Sequence, residues 1–209
     1  MRIVVELYNK MKYLDFLRHF ENRQIISIQN IRNKFGDIDR HHLSVWLKKG
    51  WLVAIKKGFY ALPQKNLDVH LIANRVNKSY ISLEYALSFY QIIPEITRVV
   101  TSISCERAEK FENAFGTFSY YKIKSDLFSG YVNRESKIKD VFFKIASAEK
   151  ALFDLVYFRN DLKDKDDLIG LRLNLEKKMD LKKIHSYIEL IQSKIIKKRL
   201  LNFFDYLNA

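Results

Sequence analysis

The stretch GDIDRHHLSVWLKKGWLVAIKKGFYALP, residues 36–63, decides how the first third of the chain is read. Gly36-Asp37-Ile38-Asp39 is a short turn rich in helix-starting residues. Asp39 is placed to cap a helix from Arg40 to Lys49, which Gly50 then stops. At about 100° of rotation per residue, Leu43, Leu47 and Trp46 or Val45 supply an inner face. Arg40, His41, Ser44 and Lys48 fall on the other side. Past the glycine, Trp51-Leu52-Val53-Ala54-Ile55 reads as a strand and Lys56-Lys57-Gly58 as a tight basic turn. Phe59-Tyr60-Ala61-Leu62 is the return strand, stopped by Pro63. Gly58 supplies the positive φ that such a hairpin needs.

Upstream, Leu7, Met11, Leu14 and Leu17 recur at helical spacing and predict an amphipathic helix ending near Phe20. The apolar patch Gln24-Ile25-Ile26 leads to Ser27, an N-cap for a second helix whose Ile28, Ile31 and Phe35 share a face; Gly36 ends it. Helix, short turn, helix and basic hairpin together predict a winged helix-turn-helix over residues 1–65, with the helix from Arg40 as the one entering the major groove of double-stranded DNA. On this reading Arg40 and Ser44 contact bases and His41 adds a hydrogen bond. Lys48, Lys56 and Lys57 contact phosphates and carry no sequence information. The same layout also occurs in modules that dock proteins, so an interaction adaptor is the alternative.

Charge supports the nucleic-acid reading. The chain has 209 residues and a formal net charge of +13. Residues 1–65 hold 13 Lys and Arg against 5 Asp and Glu, whereas the rest holds 24 against 19, so the excess is concentrated in the first third. Clustered cations gain by releasing counterions from a polyanion. With 48% hydrophobic and 14% aromatic residues the chain has ample material for a core. Cys105 is the single cysteine, which leaves no intramolecular disulfide or thiolate cluster. It reads as a small buried apolar residue. No segment reaches the roughly 18–20 apolar residues of a membrane span. The start, Met1-Arg2-Ile3-Val4-Val5, is too short an apolar run for a signal peptide. The expectation is a cytoplasmic protein with no membrane partner.

Residues 66–209 read as a second, α+β domain. Leu67, Leu71, Ile72 and Val76 mark a short helix, and Ser82 is placed to cap another that ends before Pro94. Residues 97–103, 117–123 and 141–145 are rich in β-branched and aromatic residues and predict a small antiparallel sheet. Ser147-Ala148-Glu149-Lys150 opens a helix through Tyr157, with Glu149 favourably placed near its N-terminus. Residues 160–167 look like a linker. A last helix runs from about Leu181 to Leu207, able to pair between chains or to cover its own domain. Its Lys194, Lys197, Lys198 and Arg199 read as a solvated face, with a second phosphate contact as the alternative.

Several of these stretches resemble a known family. They are Lys48-Lys49-Gly50-Trp51-Leu52, Lys57-Gly58-Phe59-Tyr60-Ala61-Leu62-Pro63, Ile72-Ala73-Asn74-Arg75 and the run from Ser79 to Tyr90. Phe115-Gly116-Thr117-Phe118-Ser119-Tyr120 and the run from Ile145 to Asp154 complete the set. In this order they resemble the AbiEi antitoxins of type IV toxin–antitoxin systems, also described as abortive-infection regulators. The runs beginning Tyr80-Ile81-Ser82 and Ala146-Ser147 are the most specific. Ala148 stands where the family pattern has proline, which weakens a helix start without changing the fold. The resemblance implies an amino-terminal winged helix that represses its own operon. It also implies a larger domain that counters a nucleotidyltransferase-like toxin without a stable complex.

Enzyme readings fare worse. A restriction-type nuclease needs a Glu-x-Lys or Asp-x-Lys on a strand to hold Mg²⁺. The matches Glu135-x-Lys137, Asp161-x-Lys163, Glu176-x-Lys178 and Asp180-x-Lys182 are expected by chance in so charged a chain, and none falls in a predicted strand. The five histidines lack metal-ligand spacing. No nucleophile elbow, phosphate-binding glycine loop or dinucleotide fingerprint is present. The expectation is therefore a non-enzyme without a cofactor.

Overall fold

The computed structural model describes residues 12–36, 40–63, 67–174 and 179–207. The predicted contributions of Leu7, Met11 and Asp39 lie outside the described residues. Contacts divide the chain into two units. One comprises residues 1–72 with 113–115, and the other 73–112 with 116–209.

In the smaller unit the order is α1 (Tyr13–Phe20), β1 (Ile26–Ser27), α2 (Ile28–Phe35), α3 (Arg40–Lys48), β2 (Val53–Lys56) and β3 (Phe59–Ala61). Ser27 starts α2 with a capping box. Its hydroxyl accepts from the Asn30 N–H at 3.1 Å, and the Asn30 side chain accepts from the Ser27 N–H at 3.0 Å. The three strands form one sheet in the order β1-β3-β2, antiparallel throughout, with Ile26 opposite Tyr60 and Ala54 opposite Tyr60 from the other side. Phe16, Phe20, Ile26, Ile31, Leu43, Trp46, Leu52 and Leu62 make the core. Aromatic contacts dominate it, with Phe16 5.0 Å from Trp46 and 4.8 Å from Phe20 between ring centres.

The larger unit contains α4 (Val69–Val76) from Ala73 onward. It continues with β4 (Ser79–Ile81), α5 (Leu83–Phe89), β5 (Val99–Ser104), β6 (Glu109–Asn113), β7 (Gly116–Lys122), β8 (Tyr131–Glu135) and β9 (Phe142–Ala146). Helices α6 (Ala148–Phe158), α7 (Lys165–Gly170), α8 (Leu181–Glu189) and α9 (Lys194–Asp205) follow. Its sheet corrects the small antiparallel one expected from sequence. Six strands lie in the order β6-β7-β5-β4-β9-β8, and the sheet is mixed: β5 runs parallel to β7 and β4 parallel to β9. Of the missed strands, β4 is buried throughout and β8 is exposed from Val132 onward, so neither alternates, while β6 alternates in burial but has Phe111 as its one apolar residue.

Two further expectations change. The last helix is two helices, interrupted at residues 190–193, with Ser193 capping α9 through the Ile196 N–H. The predicted linker is partly helical, because Asp164 and Asp167 build a capping box at the start of α7. Among the described residues no helix is long and apolar enough to cross a membrane.

Candidate nucleic-acid interface

Helix α3 divides cleanly around its axis. Leu43 and Trp46 are buried in the core of the smaller unit, and Leu47 and His42 are half-buried beside them. Arg40, His41, Ser44 and Lys48 are all exposed. At about 100° per residue these four occupy an arc of about 100° opposite the buried pair. The separation follows from sequence alone: two large apolar side chains three apart fix which face turns inward, and the polar residues take what remains. Gly50, at φ +67, ends the helix and returns the chain to β2.

The hairpin supplies the other predicted cations. Lys56 closes β2 and is half-buried, whereas Lys57 in the turn is exposed. Gly58 sits at φ +85, the left-handed region that the turn requires. The turn is tied to α2, since the Ile28 N–H donates to the Gly58 carbonyl at 2.8 Å. The tip therefore sits against the start of α2, held by β1, a two-residue strand too short to be read from sequence.

Sequence reasoning passed over Lys49 and Trp51. The Lys49 ammonium lies 4.5 Å from the centre of the partly exposed Trp51 ring, a cation–π contact beside the end of α3. Trp51 is held in turn by Tyr13, whose ring lies 4.7 Å away and whose hydroxyl donates to the Trp51 carbonyl at 2.9 Å. The signal available in the sequence is a lysine followed two residues on by an aromatic. Within this unit, five of the six predicted site side chains are exposed, and Lys56 is half-buried.

A second polar cluster, also unassigned from sequence, lies inside the larger unit. Lys150 and Asp154, one turn apart on α6, are both fully buried, and the ammonium donates to Asp154 Oδ1 at 2.7 Å. Tyr80 and Ser82 donate to Oδ2 of the same carboxylate at 3.0 and 2.7 Å. The rings of Phe153, Tyr187 and Tyr80 lie 4.5, 5.1 and 5.9 Å from the ammonium. Burial pushes the Asp154 carboxyl upward, against the pull of Lys150 and the two hydroxyls. Burial and the neighbouring Asp154 likewise push the Tyr80 phenol up.

Ser82 therefore does not cap α5 as predicted, because its hydroxyl is committed to Asp154. Thr101 takes over, accepting from the Tyr85 N–H at 3.3 Å and donating to the Ser82 carbonyl at 2.7 Å. Leu83, next to Ser82, is held at φ +59, a conformation costly for a side chain with a Cβ. Tyr80, Ser82, Lys150 and Asp154 are sealed from solvent, with the half-buried Tyr187 ring beside them, so the cluster reads as framework rather than a surface for chemistry.

The acid–lysine pairs considered for a nuclease are scattered. Glu135, which was expected outside any strand, closes β8, where its carboxylate accepts from the Asp140 N–H at 2.9 Å. Asp161 is forked to Arg159, and Asp180 accepts from the Lys182 N–H. Glu176 and Lys178 lie outside the described residues. Among the described residues no group of three His, Cys, Asp or Glu is placed to hold a metal ion. Compared with protein-family models and with curated proteins, the chain matches none.

Proposed function

We propose that the smaller unit is a winged helix-turn-helix that binds double-stranded DNA in the operator of its own operon. The observation that carries this is the exposed arc of Arg40, His41, Ser44 and Lys48 on α3, opposite Leu43 and Trp46. The order α1-β1-α2-α3-β2-β3, with a lysine-bearing turn joining the last two strands, supports it. In this reading α3 lies in the major groove. Arg40 and Ser44 contact base edges, with His41 beside them, and Lys48, Lys56 and Lys57 contact phosphates. The larger unit acts as the antitoxin half of a cytoplasmic type IV system, opposing a nucleotidyltransferase-like toxin without a stable complex and without catalysis of its own. That role rests on the resemblance of the residues quoted above.

Anisotropy titrations against the DNA upstream of its own reading frame, repeated across a salt series, test the first part. Specific binding whose affinity falls steeply with salt is expected. Arg40→Ala and Ser44→Ala should flatten the preference for that sequence, at about 1–3 kcal/mol each. Lys57→Ala should weaken binding to all sequences alike and lower the salt slope by about one. No binding at low salt, or identical behaviour of the two kinds of variant, refutes the assignment.

One observation favours a protein-docking module instead: Leu14 on α1 is 64% exposed and Trp51 is 41% exposed. Recovery of a stable protein partner that Leu14→Ser abolishes, with the operator unoccupied in cells, would establish that reading.

A further inference from the structure

Within the larger unit a cavity of about 540 Å³ opens among α5, the loop that follows it, the end of α6, and α7. Leu155, Leu162 and Ile93, all buried, give it an apolar floor. Its walls bring five carboxylates, Glu84, Glu95, Asp161, Asp166 and Asp167, against the single guanidinium of Arg159. That guanidinium is consumed within the wall, forked on Asp161 at 2.5–3.0 Å and 3.9 Å from Glu84. Glu95 is paired with Arg172, and Asp167 accepts backbone N–H groups at the start of α7. The Asp166 carboxylate takes no hydrogen bond or ion pair among the described residues.

A second observation concerns the rim. Ile96, 91% exposed, lies between the lining residues Glu95 and Thr97, and Ile169, 62% exposed, precedes the lining residue Gly170. Exposed aliphatic side chains beside an apolar-floored cavity mark a surface that buries against another polypeptide. A bare metal ion has no use for that floor, since hard cations take oxygen shells. A nucleic acid is repelled by the sign of the walls, which is negative in a chain of net charge +13.

We propose that this cavity docks a basic, amphipathic peptide segment of a partner protein. A lysine or arginine lays its aliphatic stem on the Leu155–Leu162 floor and brings its cation to Asp166 and Glu84. Flanking apolar residues of the segment cover Ile96 and Ile169. The inference is independent of DNA binding, and charge complementarity is what selects the occupant.

Calorimetric titration of the full chain with a ten-residue peptide alternating leucine and arginine tests it. Parallel titrations use the same peptide with glutamate for arginine, and free spermidine. Saturable binding of the basic peptide is expected, with none of the acidic one. Asp166→Lys and, separately, the pair Ile96→Ser and Ile169→Ser should each weaken it at least tenfold. All three positions are exposed, so these variants keep the fold, which circular dichroism verifies. Absence of saturable binding, or affinity unmoved by either variant, overturns the site. Spermidine binding as tightly as the peptide, unaffected by the isoleucine changes, overturns the peptide as occupant.

Discussion

Asp154→Asn is the sharpest test of how the larger unit is held together. The substitution keeps the shape of the side chain and removes only its charge. The amide has one oxygen where the carboxylate has two. If that oxygen faces Lys150, the amide nitrogen faces Tyr80 and Ser82, whose hydroxyls must turn from donors into acceptors and redirect their hydrogens. If it faces the hydroxyls, two donors meet at 2.7 Å, the distance that now separates Lys150 Nζ from Oδ1. In both cases an ammonium with no solvent exposure is left without its carboxylate. Breaking a buried pair in this way costs about 3–5 kcal/mol, a large share of a typical stability of about 5–15 kcal/mol. Adding Lys150→Met removes the stranded charge, and the double variant should lie within about 1–2 kcal/mol of the parent, the remainder being the two redirected hydroxyls. Lys150→Met alone strands the buried Asp154 carboxylate and should itself cost about 3–5 kcal/mol, so the two singles together should exceed the double variant by at least about 4 kcal/mol, which is the coupling the cycle should give. Urea unfolding followed by far-ultraviolet circular dichroism measures all four proteins, with equal slopes required for the comparison. A loss under about 1 kcal/mol for Asp154→Asn, or a double variant at the sum of the singles, would refute the argument.

Three other expectations follow from local geometry. Gly130 lies at φ +77, and a Cβ there would meet the Tyr187 hydroxyl and sit 2.8 Å from its Cζ. Gly130→Ala should cost at least about 1–2 kcal/mol for the left-handed backbone alone, and Tyr187→Phe in the same chain should recover part of the total. Ser27→Ala removes the capping box of α2 and should lower stability by about 1 kcal/mol in thermal or urea unfolding, Ser27→Gly by only a few tenths. The Arg159 fork holds the Asp161 carboxyl at about 2, below its ordinary 3.8. Such a depressed group stabilises the folded chain above 3.8, and its contribution is lost as pH falls toward about 2. Carboxyl NMR titration should place the Asp161 midpoint near 2 and return it to the ordinary range in Arg159→Gln.

Most of the smaller unit is legible because its signals are local, the exception being α1, which buries Phe16 and Phe20 and leaves Leu14, expected on its inward stripe, 64% exposed. Leu43 and Trp46 set the inward face of α3, Gly50 and Gly58 set the turns, and Ser27 sets the start of α2. Each acts within a few residues, so neither β1 nor the sheet it joins was needed to read them. The larger unit resisted for the opposite reason. Its sheet order depends on pairings such as Ile81 with Ile145 and Val100 with Phe118, which no periodicity announces. Edge strand β8, with Asn133, Arg134 and Glu135 exposed, reads as a loop until Phe142–Ala146 is beside it. The role of Ser82 was misread on the same grounds. A serine before a helix is an N-cap by local rule, and its true partner lies 72 residues away on α6.

The position of the most specific sequence runs bears on where function lies. Tyr80 and Ser82 from one, and Lys150 and Asp154 from the other, are the members of a single sealed cluster, each essentially without solvent exposure. Residues so placed answer to packing and hydrogen-bond satisfaction, because a buried carboxylate tolerates few substitutes for its three donors. A likeness at runs of this kind bears on packing more than on a working surface. The exposed residues carry the opposite burden. Arg40 and Ser44 on α3, and Asp166 and Ile96 around the cavity, are exposed, so exchanging them should cost the fold little. Exchanging Arg40 should therefore alter which DNA is preferred while leaving the unfolding midpoint in place, and exchanging Lys150 should move the midpoint and leave DNA preference alone. A chain in which those two effects were reversed would have its functional surface elsewhere.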